Sequence, residues 1–193
     1  MVEIKFSSPE ESRDWIEKNV TQYDPRYLPD IETLNVLAYF LYKEAISIEE
    51  LQIPNLPEPS NEQLSRITEP QRYYKYIALE LLKLQKVKEE DIKFEFSIYG
   101  RRADVYTTSE NREILIECCS CYIDKLIDYL EEENTELWII TEGYGPWDKM
   151  LPEKERSFCF ILRRGKSWNK YYKIYTHISQ EQLRKVKNPL DNL

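Results

Sequence analysis

Two acidic residues, Asp104 and Glu117, stand where carboxylates can do chemistry. Asp104 lies in Gly100-Arg-Arg-Ala-Asp104-Val-Tyr, and Glu117 falls near the end of Ile114-Leu-Ile-Glu117-Cys-Cys119, with a short polar turn between them. Antiparallel strands joined by that turn would carry both carboxylates within one ion's reach. Converging carboxylates on rigid strands, not obliged to pair with Lys or Arg, suit a hard divalent cation with oxygen ligands. Such a site cleaves phosphodiesters. The same spacing also fits an ordinary hairpin with acids at its ends.

The flanking elements must position that pair. Tyr73 to Gln85 carries apolar residues at 77, 78, 81, 82 and 84, a helical stripe. Phe94-Glu-Phe-Ser-Ile-Tyr alternates with the two-residue period of a strand, and the two acid-bearing strands follow. Tyr122 to Leu130, apolar at 123, 126, 127 and 130, reads as a helix, and Glu136-Leu-Trp-Ile-Ile-Thr as a buried strand. The order is helix, three strands, helix, strand. A strand-helix-strand step of this length requires a crossover, so the sheet is expected to be mixed.

The segment from about Gln71 to Thr141 resembles the core of the PD-(D/E)xK nuclease superfamily, the restriction-endonuclease-like fold that includes Holliday-junction resolvases and many phage and archaeal-virus nucleases. Arg-Ala-Asp-Val, then Ile-Glu-Cys, then Asp-Lys-Leu carry the likeness. It implies an α/β protein with an αβββαβ core, a mixed central sheet and an N-terminal helical extension. It also implies a Mg²⁺- or Mn²⁺-dependent DNA nuclease. Asp104 and Glu117 would bind the metal, with the backbone carbonyl of Cys118 as a further ligand. Glu80 matches the extra acid that many members place on the preceding helix. Members that cut both strands often act as homodimers, and the resemblance carries that expectation here.

The family places a lysine two residues after the second acid, on the same strand face. Here that position is Cys119, which supplies no permanent positive charge. Some members supply the lysine from the following helix, and Lys125 would be the replacement. Lys125 could equally be a solvated residue paired with Asp124 or Asp128. In that case the chain would be a nuclease-like module that binds nucleic acid or protein without cutting.

Charge is unevenly placed. Residues 1–70 hold 14 acids against 6 bases, whereas residues 71–193 hold 21 of each, so the net charge of −8 belongs to the N-terminal part. Between Arg163 and Lys187, eight Lys or Arg residues face one acid, Glu181. Nucleic-acid binding needs a local basic surface, not a basic average. Arg163, Arg164, Lys166, Lys170 and Lys173, interleaved with Trp168, Tyr171 and Tyr172, are the candidate surface. The alternative is a solvated strand and helix. Arg101 and Arg102 could add phosphate contacts, although Arg102 could also pair with a carboxylate.

At 193 residues the chain suits one sizeable core. Residues 1–60 read as a helical extension and 61–193 as the nuclease-like domain. Within the extension, one helix runs from a Ser8 cap to about Val20 and a second from Ile31 to Ala45. No apolar run approaches a membrane span and the N-terminus lacks a signal-peptide pattern, so a cytoplasmic location without membrane contact is expected. In Cys118-Cys-Ser-Cys121 only Cys118 and Cys121 hold the two-residue spacer of a zinc site, no second such pair follows, and with Cys159 the four read as small buried residues. His177, the single histidine, excludes any two-histidine metal site. Phosphate-binding glycine loops, dinucleotide fingerprints and Gly-x-Ser-x-Gly turns are absent. Gly143 to Trp147 reads as a loop beside the site, Ser157 to Leu162 as a fifth strand and Ser179 to Lys187 as a terminal helix.

Overall fold

A computed structural model describes residues 1–20, 31–119, 121, 123–142 and 157–177. The loop expected over 143–147 and the terminal helix expected over 179–187 lie outside the described residues.

The helix expected ahead of the acid pair is α4 (Arg72–Leu84), which follows α1 (Pro9–Asn19), α2 (Ile31–Tyr42) and the short α3 (Asn61–Ser65). Ser8 caps α1 by accepting from the Glu11 amide, ahead of Pro9 at the first helical position. After α4 come β3 (Lys93–Ile98), β4 (Arg101–Ser109), β5 (Arg112–Cys118), α5 (Ile123–Glu131), β6 (Thr135–Glu142), β7 (Ser157–Arg164) and α6 (Trp168–His177). The order helix, three strands, helix, strand is therefore present. Strands β5 and β6 pair in parallel across α5, while the other pairings are antiparallel, giving an α/β protein with a seven-stranded mixed sheet.

Two tight turns set the registers that matter. Tyr99 (φ 53°) and Gly100 (φ 70°) join β3 to β4 beyond the pair Ile98↔Arg101. Glu110 (φ 50°) and Asn111 (φ 65°) join β4 to β5 beyond Ser109↔Arg112. Both central residues of each turn are left-handed, the arrangement whose twist matches paired strands and which Gly and Asn accept most readily. Counting back from the first turn sets Glu95 opposite Asp104, between the rungs Phe94↔Val105 and Phe96↔Ala103. Counting one step past the last paired rung, Val105↔Ile116, brings Asp104 level with Glu117.

Each face of the sheet carries its own core. Ile114, Ile116, Trp138, Ile140, Cys159 and Ile161 pack with Ile77, Ala78, Leu81 and Leu82 of α4. Leu115, Leu137, Ile139, Phe160 and Leu162 pack on the other face with α1, α2, α5 and α6. Strict alternation along β5, β6 and β7 thus separates two helical layers.

The N-terminal segment differs from its helical reading. Strands β1 (Val2–Ile4) and β2 (Ile46–Leu51) join the same sheet, in the order β1-β2-β7-β6-β5-β4-β3. Strand β2 pairs with β7 from Ile46↔Arg164 to Leu51↔Cys159, so residues 1–60 extend the sheet as well as supplying helices. The second helix ends at Tyr42, and the chain turns at Glu44 (φ 54°) into β2, whose Ile46 and Ile48 are buried. Among the described residues, no helix is long and apolar enough to cross a membrane.

Candidate active site

Asp104 and Glu117 meet at the end of the β4–β5 ladder. Asp104 is half-buried, and its Oδ2 accepts from the Cys118 amide at 2.7 Å. Glu117 is 2 % exposed. It shares its strand face with Leu115 and looks toward α5, where the Tyr129 hydroxyl donates to Oε1 at 3.2 Å and Lys125 Nζ donates to Oε2 at 2.8 Å. Lys125 also donates to the Arg102 carbonyl at 2.8 Å, tying α5 to β4. Its reading as a solvated partner of Asp128 is corrected: Arg101 takes that role, with Nε 2.7 Å from Asp128 Oδ2.

The electrostatics follow from this enclosure. Burial is the main force on Glu117 and pushes its pKa up to about 7; Lys125 opposes the rise and the Asp104 carboxylate adds to it. Burial also raises Asp104, against the Cys118 amide and the Lys75 and Lys125 ammonium groups. Burial alone would lower Lys125, but Glu117 outweighs it and the ammonium is held above its ordinary value. Burial, then Glu117, raises the Tyr129 phenol. Two carboxylates within electrostatic reach of each other therefore share a poorly solvated space with cations from opposite helical layers.

Cys119 does not continue the strand face of Glu117. Strand β5 ends at Cys118, and Cys119 adopts a left-handed φ of 70° with its amide bonded to the Ile140 carbonyl at 2.7 Å. Its side chain packs on the α4 side of the sheet, opposite to Glu117. The alternation that would aim residue 119 at the Glu117 face has already broken.

Glu80 does not join the pair. Its Oε1 lies 3.1 Å from Lys83 Nζ, which also contacts Glu89 Oε2 at 3.1 Å. The α4 residue that acts on Asp104 is Lys75, five positions earlier and therefore on a different helix face. Lys75 is fully buried; its ammonium contacts Glu95 Oε1 and lies 3.3 Å from Thr68 Oγ1 and 3.4 Å from the Thr68 carbonyl. The sequence does not by itself mark Lys75, Glu95 and Tyr129 as site residues. A lysine inside the apolar run of α4 and an acid between Phe94 and Phe96 were the signals available.

The proposed nucleic-acid surface is partly dismantled. Arg163 lies on the α4 side, with Nε 2.8 Å from Glu136 Oε1 and a terminal nitrogen 2.6 Å from Glu49 Oε2. Arg112 and the Trp138 indole also contact Glu136, making a polar network across β5, β6, β7 and β2. Arg164 points to the other face, donates to the Leu130 carbonyl and covers the Trp168 ring at 5.2 Å. Arg102 contacts Glu95 Oε2 at 2.6 Å while remaining largely exposed. Lys166, Lys170 and Lys173 are exposed, with Lys170 over Tyr171 at 5.2 Å.

The donors around Asp104 and Glu117 are oxygens, which match Mg²⁺ or Mn²⁺ better than a softer ion. Among the described residues, no three His, Cys, Asp and Glu side chains gather so that they could hold an ion by themselves. The fit therefore depends on two carboxylates, the Cys118 carbonyl and water, a set that Mg²⁺, which keeps several waters, accepts. All four cysteines are free thiols, with Cys118, Cys121 and Cys159 buried. No family model matches the chain, and no curated protein or solved structure gives a match.

Proposed function

We propose that this protein is a metal-dependent nuclease that hydrolyses DNA phosphodiester bonds, built on a restriction-endonuclease-like αβββαβ core. The observation that carries the reading is the meeting of Asp104, Glu117 and Lys125: two acids opposed across adjacent strands, with a lysine from the following helix against the second. This is the arrangement the PD-(D/E)xK resemblance implies, with the lysine delivered by α5. Asp104, Glu117 and the Cys118 carbonyl would hold Mg²⁺ or Mn²⁺, which when bound acidifies water and offsets charge on a phosphate. Lys125 orients the Glu117 carboxylate and places a cation beside the position a phosphate would take. Tyr129 fixes the other carboxylate oxygen, and the Cys118 amide fixes Asp104. Exposed Lys166, Lys170 and Lys173 are the residues left to meet a nucleic-acid backbone, joined by Arg101 and Arg102 at the β4 entrance.

The test is cleavage of supercoiled, linear and branched DNA with Mg²⁺ or Mn²⁺, comparing the native chain with Asp104→Asn. Metal-dependent cleavage lost in the variant is expected. Full activity in Asp104→Asn would overturn the assignment. A second reading, a nuclease-like module that binds without cutting, draws on the engagement of Glu117 by Lys125 and the diversion of Arg163 into an internal network. It expects DNA binding with no metal-dependent cleavage by the native chain.

A further inference from the structure

Glu95 occupies a costly position. It lies within β3 yet has a left-handed φ of 53°, an uncommon backbone for a non-glycine residue inside a strand. Phe94 and its partner Val105 pack on the α4 side, whereas Phe96 and Ala103 pack on the other side, so the facing of both strands changes across the Glu95–Asp104 rung. The consequence is a Glu95 carboxylate gripped from two directions. Buried Lys75 of α4 contacts Oε1, and Arg102 of β4 holds Oε2 at 2.6 Å. Lys75 is anchored in turn by Thr68.

The charged groups acting on Asp104 now come from four elements: Lys75 of α4, Lys125 of α5, Glu95 of β3 and Glu117 of β5. Glu117 has its own cation in Lys125. Asp104 has none in direct contact among these; its Oδ2 takes a backbone amide. Lys75 and Glu95 thus act on the acid with opposite charges held in place by burial and by their mutual contact.

We propose that Lys75 and Glu95 are a positioning pair that sets the affinity of the Asp104–Glu117 pair for a divalent cation, with Arg102 limiting how much of the Glu95 charge is felt. This rests on the metal-dependent reading of the same acids and adds residues that the resemblance does not supply. A bound cation is repelled by Lys75 and attracted by Glu95, so the two have opposite influences. A merely structural ion pair would act differently: breaking it from either side would loosen the site and weaken binding.

The experiment is Mn²⁺ binding alone, without DNA, by calorimetry and electron paramagnetic resonance on the full chain. The variants are Lys75→Met, Glu95→Gln and Arg102→Ala. Lys75→Met is expected to tighten Mn²⁺ and Glu95→Gln to weaken it, each by about tenfold, the scale on which groups behind metal ligands act. Arg102 is largely exposed, so Arg102→Ala leaves the fold intact and tightens Mn²⁺ by about two- to threefold even where Lys75→Met fails to fold. Weakening in all three, or no change in any, overturns the proposal. Opposite shifts without DNA cleavage by the native chain would sink the nuclease reading and leave this one standing. Cleavage with unshifted Mn²⁺ affinities would do the reverse, and no Mn²⁺ binding by the native chain would remove both.

Discussion

Lys125 Nζ lies 2.8 Å from Glu117 Oε2, joining the first half of α5 to the last acid of β5. The lysine side chain is 16 % exposed and the glutamate side chain 3 %, so the pair is largely removed from water and screening by salt is weak. Breaking it strands a charge, which is the costly event for a buried ion pair.

The first expectation follows from that contact. Lys125→Met should lower metal-dependent cleavage by about a hundredfold or more while DNA affinity stays within about twofold. Single-turnover cleavage set beside a binding isotherm checks it. Equal losses in both would mean Lys125 serves adhesion alone.

A second concerns the lysine that β5 lacks. Because Cys119 faces α4 at a left-handed φ, Cys119→Lys is expected not to restore cleavage to Lys125→Met. Activity of the double variant recovering toward native levels would place residue 119 on the Glu117 side.

The third is a pH dependence. Burial holds Glu117 at about 7 in the folded chain, against an ordinary 4.5. Between those values the folded form keeps a proton that the unfolded chain has released. Stability therefore falls as pH rises from about 4.5 to about 7, then levels off. The loss is on the order of 3 kcal/mol. Asp104, raised in the same direction, steepens the slope. Denaturant melts from pH 4.5 to 8 measure it, and Glu117→Gln should flatten it.

The fourth separates two kinds of arginine and lysine. Arg163→Ala should cost about 1–3 kcal/mol of stability, because Glu49 loses its contact and Glu136 keeps only Arg112 and the Trp138 indole. DNA affinity of the folded fraction should be unchanged. Replacing Lys166, Lys170 and Lys173 together by Gln should leave the melt within about 1 kcal/mol but weaken DNA binding and flatten its salt dependence. Filter binding across a salt series distinguishes them.

The central order was legible because its signals were local. The α4 stripe, the Phe94-Glu-Phe alternation, the apolar run into Glu117 and the Ile123–Leu130 pattern each identified an element. What escaped was set by partners distant in sequence. Ile46 and Ile48 carry a two-residue period, but β2 becomes a strand by pairing with β7, more than a hundred residues away. Alternation also implied a Glu117-side position for residue 119, and the left-handed turn at Cys119 is invisible to it. Arg163 and Arg164 read as one basic patch because they are neighbours. On a strand, neighbours face opposite ways.

Strand β2 sits between β1 and β7, so the amino-terminal quarter of the chain is stitched into the sheet. A shortened protein starting after Leu51 would uncover the hydrogen-bonding edge of β7, and Phe160 would lose the Trp15 ring that packs 4.9 Å from it. Such a bare ribbon recruits strands from neighbouring molecules. Truncation at that point would yield self-associating material instead of an autonomous catalytic fragment.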